Sequence, residues 1–77
     1  MYKYKLGSVD SKEEEAEVIE IYKENGEYVE KNEVVCTVEA TKVTMEIEAE
    51  ITGYIKFLVR EGDKIEFGEV LYIINEN

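Results

Sequence analysis

Histidine, proline and tryptophan are all missing from this chain of 77 residues, and there is a single cysteine, Cys36. Without histidine, no Ser-His or Cys-His nucleophile pair and no imidazole metal ligand can be assembled. A stand-alone enzyme is therefore not expected. One cysteine cannot close an internal disulfide, which excludes a disulfide-stapled scaffold. No apolar run nears the ~18 residues of a membrane span, and the N-terminus shows no signal-peptide pattern, so the expected compartment is the cytoplasm. Positive charge is also scarce. Nine Lys and Arg against nineteen Asp and Glu leave a net charge of −10. That balance repels phosphate backbones and anionic lipid, so neither nucleic acid nor a membrane is an expected partner.

Enough apolar sequence is present, at 44%, for one packed core, and residues 1–77 are read as one domain. A chain this short buries only ~60% of its unfolded surface, so that core must be efficient. An internal repeat organises it. Val18 to Ala40 aligns without a gap on Tyr54 to Glu76, with five of 23 positions identical: Ile19/Ile55, Gly26/Gly62, Glu30/Glu66, Glu33/Glu69 and Val34/Val70. Two copies fall short of a solenoid and suggest a small fold with approximate two-fold symmetry.

Each copy has one rhythm: an apolar strand, a glycine turn (Asn25-Gly26-Glu27 or Glu61-Gly62-Asp63), a short extended piece, a second turn and a closing strand. Short β-branched runs at this spacing predict an all-β barrel or sandwich. Tyr2 to Leu6 and Val43 to Ala49 alternate and add two more strands. Asp10 to Glu17 reads as an exposed acidic loop, with a helix start at Ser11 to Glu14 as the alternative. Glu13-Glu14-Glu15 reads as a solvated charge run. Cys36 shares a strand face with Val34 and Val38 and reads as a small buried hydrophobe.

Only Thr41 and Lys42 separate the strand ending at Ala40 from the one beginning at Val43, which describes a tight hairpin. The symmetry mate of this turn is the C-terminal tail. Lys42 is therefore expected at the pole opposite the chain ends. Tight hairpins favour Asn-Gly or Asp-Gly, so Thr-Lys breaks the local rule and points to a lysine kept for its chemistry, beside the plainer reading of a solvated turn lysine.

Glu39-Ala40-Thr41-Lys42-Val43, followed by Glu46-Ile47-Glu48-Ala49 and Gly53, resembles the attachment hairpin of the biotinyl/lipoyl domain family. The resemblance runs from about Tyr2 to Ile74 and takes in the Gly26 and Gly62 turns and Glu66-Phe67-Gly68-Glu69. It implies a flattened β-barrel or sandwich of two four-stranded antiparallel sheets with quasi-two-fold symmetry. It also implies a cofactor joined to Lys42 at the hairpin tip, flanked by Ala40, Thr41 and Val43, with Glu39 as a residue for ligase recognition. Biotinyl domains carry Glu-Ala-Met-Lys-Met at the tip, and here Thr41 and Val43 replace both methionines. The looser lipoyl pattern fits Glu39, Thr41, Lys42 and Val43, although Thr41 stands where aspartate is usual and Glu50 where both subfamilies carry proline.

By that resemblance the chain is a non-catalytic carrier with lipoate on Lys42, passing acyl groups between active sites. The alternatives are biotin on Lys42 or an unmodified interaction module. The implied partners are a lipoate or biotin ligase and the enzymes of a 2-oxo acid dehydrogenase-type or carboxylase complex.

Overall fold

A computed structural model describes residues 1–7, 15–41 and 43–76. Eight strands follow one another: β1 (Tyr2–Lys5), β2 (Glu15–Ile21), β3 (Tyr28–Val29), β4 (Val34–Glu39), β5 (Thr44–Glu48), β6 (Gly53–Phe57), β7 (Lys64–Glu66) and β8 (Val70–Asn75). They form two separate four-stranded antiparallel sheets, β1-β8-β6-β3 and β5-β4-β2-β7. The architecture is the expected all-β sandwich, and it does not close into a barrel.

The repeat in the sequence is a repeat in hydrogen bonding. Glu30 N–H donates to the Glu33 carboxylate and Glu66 N–H to that of Glu69, both at 3.0 Å. Asn25 Oδ1 accepts from Phe57 N–H, and Glu61 Oε2 accepts from Ile21 N–H, each at 2.8 Å. Each copy thus uses its turn residue to satisfy a strand amide of the other. Gly26 and Gly62 turn at φ near +90° in the corresponding places, a backbone open to glycine at no steric cost.

Inward-facing residues of the two sheets meet in one core. Val18, Val29, Val35, Val38, Leu71, Tyr72 and Ile74 are fully buried, and Cys36 lies with them. The acidic stretch before Val18 differs from expectation. Glu15 to Glu17 are the first residues of β2, paired with β7 as Glu15 to Glu66 and Ala16 to Ile65. Ala16 and Ile65 are both buried, and that contact holds the strand despite the low β propensity of glutamate. The remainder of the expected loop, and its helical alternative, lie outside the described residues.

Tyr72 ties the sheets together. Its ring stacks on Tyr4 with centroids 5.0 Å apart. Its hydroxyl donates to the Glu48 carbonyl at 2.8 Å and accepts from the Glu50 N–H at 3.1 Å. A proline at position 50 would have no N–H to give, so the departure noted there is matched by a partner inside the fold. Tyr72→Phe keeps the ring and strands both backbone groups. The expected cost is about 1–3 kcal/mol, read as a lower urea midpoint with an unchanged m-value.

Burial pushes the Cys36 thiol up to about 12 and raises Tyr72 and Tyr4 above the ordinary tyrosine range. In the unfolded chain these groups ionise near about 8.5 and 10. A folded pKa above the unfolded one gives stability that is complete below the unfolded value and lost as pH rises towards the folded one. Urea midpoints should therefore fall steadily above about pH 9. Cys36→Ala should flatten the first part of that slope, and an unchanged slope would contradict the assignment to Cys36.

Candidate functional site

The site grows out of the β4–β5 hairpin. Glu39 pairs across to Thr44 and, on its other side, to Glu17 of β2. Beyond that pair the Ala40 N–H donates to the Val43 carbonyl at 2.8 Å, so the ladder runs to its last possible rung. Two residues remain between Ala40 and Val43, as the spacing requires of a tight hairpin. Thr41 and Val43 are exposed, whereas Ala40 turns into the core. Lys42 itself lies outside the described residues. Of the five residues singled out in the sequence, the four others are brought together at this one end.

Beside the hairpin runs a shallow cleft of about 340 Å³, bordered by Glu15, Glu17, Glu39, Thr41 and Lys64. Glu15, Glu17 and Lys64 were not legible as neighbours of the hairpin. They arrive through the pairing of β2 with both β4 and β7, which joins segments far apart in the sequence. The alternation of Glu15, Ala16 and Glu17 is the one local signal that could have extended β2 backwards.

The opposite end of β4 sets the orientation. Ala49 and Glu33 are joined there by a 2.8 Å backbone bond, and the chain then leads to Gly53, where β6 meets the end of β8. Tyr2 lies across from Ile74, so the N-terminal strand begins where the last one ends. The described flanks of the hairpin and the described chain ends are thus at opposite ends of the sandwich. What the arrangement offers chemically is exposure at the end of a hairpin anchored in its sheet through β4, with acidic side chains around it.

Comparison with known proteins gives consistent results. The family profile Biotin_lipoyl, described as "Biotin-requiring enzyme", matches residues 5–74. A biotin carboxyl carrier protein of acetyl-CoA carboxylase from Pyropia yezoensis is 44% identical over 52 residues, covering 66% of this chain and 33% of that protein. Its counterpart from Pseudomonas aeruginosa is 42% identical over 52 residues, with the same coverage. The dihydrolipoyllysine-residue acetyltransferase component of the pyruvate dehydrogenase complex from Buchnera aphidicola subsp. Baizongia pistaciae is 43% identical over 60 residues. That match covers 77% of this chain and 15% of the acetyltransferase. The chain therefore spans about a third of the carrier proteins it matches, and less of the acetyltransferase.

Proposed function

Because this chain belongs to the biotinyl/lipoyl attachment family, whose members are non-catalytic carrier domains, we propose that Lys42 is its attachment point and lipoate its cargo. The observation supporting this is the bond from Ala40 N–H to the Val43 carbonyl, which closes the hairpin across the two positions that the sequence fills with Thr41 and Lys42. A ligase would join the lipoate carboxyl to the Lys42 amine as an amide, removing that lysine's charge. Held on Lys42, lipoate would supply disulfide–dithiol chemistry for carrying acyl groups between enzymes. The protein's own part is tethering, which replaces a bimolecular encounter with an effective concentration that reaches millimolar for a short flexible link.

Val43 favours lipoate over biotin, because it fits the lipoyl pattern and stands where biotinyl tips carry methionine, whereas Thr41 departs from the usual residue of both. Biotin is the second reading, and the named biotin carboxyl carriers among the relatives favour it. Cys36, Glu46 to Ala49 and Glu66 to Glu69 also resemble bacterial biotin carboxyl carriers, but these residues lie in or beside β4, β5 and β7 rather than among the tip residues 39–43. The test is intact mass after co-expression, separately, with a lipoate ligase and a biotin ligase. A lipoyl increment alone supports the reading, a biotinyl increment alone assigns the chain to carboxyl transfer, and no increment with either defeats both.

A further inference from the structure

The two sheets share one plan but not one charge. Strands β2, β4, β5 and β7 hold seven glutamates and one lysine, Lys64. Strands β1, β3, β6 and β8 hold three lysines and no carboxylate. The register shows how closely the two patterns correspond. Lys3 lies opposite Ile73, which lies opposite Lys56, giving a row across β1, β8 and β6. Glu46 lies opposite Thr37, which lies opposite Glu20, giving the same row across β5, β4 and β2. Both rows have the same irregularity on their first side, where Lys5 pairs with Val70 and Glu48 with Val34. At symmetry-equivalent positions the outward charge is therefore reversed three times: Lys3 against Glu46, Lys5 against Glu48, Lys56 against Glu20. All six side chains are exposed.

Each face also carries exposed apolar surface beside its charges. Tyr22, 46% exposed, lies over the acidic face with its hydroxyl bonded to Thr37 Oγ1 at 2.8 Å. Its mate in the repeat, Leu58, is 53% exposed. Single exposed apolar groups are ordinary on a protein surface, so the opposed charges are what make the two faces complementary. We propose that the lysine face of one molecule docks on the glutamate face of a second copy, head to tail. The flanking charges of each row are separated by two strand spacings, roughly 10 Å, so one row faces the other with both ion pairs in register. Ile73 and Thr37 lie between them at the centre of the two rows. The hairpin projects from the end of the strands and stays clear of the contact, so a stack presents several tips side by side.

One sandwich face is small, below the ~1,200 Å² of total burial typical of tight complexes, so the association is weak and needs concentrated protein. Its sign under salt is specific: 1 M NaCl, where the Debye length is ~3 Å, should dissociate it.

Sedimentation velocity over a wide concentration range in 0.15 M salt tests it, with circular dichroism to verify that each variant is folded. The wild type should sediment faster as concentration rises. Lys3→Glu with Lys56→Glu makes both faces acidic, and Glu20→Lys with Glu46→Lys makes both basic. Each double variant alone should stay monomeric, and an equimolar mixture should associate again. A wild type that is monomeric throughout overturns the proposal. So does a mixture that fails to associate, or a less acidic Glu20→Lys/Glu46→Lys variant that self-associates more than the wild type, which would make net charge the cause.

Discussion

Lys42→Arg, co-expressed with whichever ligase modifies the wild type, should keep its unmodified mass, an all-or-none loss. Amide formation needs a primary amine that can shed its proton. A guanidinium stays protonated, with its lone pairs delocalised, at any pH the protein survives. The substitution keeps the positive charge and falls between two exposed residues, Thr41 and Val43, so the circular dichroism spectrum should not change. Lys64→Arg is the telling control, because Lys64 borders the cleft beside the hairpin and is the described lysine best placed to compete. It should be modified as fully as the wild type. A Lys42→Arg chain that still gains mass, or a Lys64→Arg chain that does not, would move the attachment point.

Gly53→Ala should be strongly destabilising, because Gly53 is the one glycine of the five whose added Cβ would meet other atoms. Gly53 opens β6, in register with Val29, where two strands approach closely. A Cβ there would stand 2.6 Å from the Asn75 carbonyl oxygen and 2.6 Å from Ile74 Cγ2. The oxygen belongs to backbone and Ile74 is fully buried, so neither can move without displacing β8 from the core. Overpacking of this kind costs about 3 kcal/mol, a large part of what a small domain has. Since ~1 kcal/mol shifts a domain of this size by about 4–8 °C, the melting temperature should fall by about 12–24 °C. Gly7→Ala provides the contrast: nothing lies within 4 Å of its Cβ position, and its melting temperature should hardly change. Equal shifts for the two would mean that β8 yields easily at Asn75.

The amino-acid sequence by itself determined the strand content, the glycine turns and the two-residue hairpin, because these follow from alternation and turn chemistry between near neighbours. It also determined the internal symmetry, through the identities that link Val18–Ala40 to Tyr54–Glu76. The tip residues Glu39, Ala40, Thr41 and Val43 came together as their spacing implied. What only the tertiary structure decided are the features that depend on partners distant in the chain. Glu15 to Glu17 read as loop because glutamate is a poor strand former, yet the burial of Ala16 against Ile65, 49 residues away, makes them strand. Glu50 broke the family pattern until Tyr72 supplied the acceptor for its N–H. The opposed charges of the two faces were spread along the chain as an ordinary acidic composition. Register separated them, because a residue's outward or inward direction is set by which cross-strand partner it meets and which neighbour must be buried.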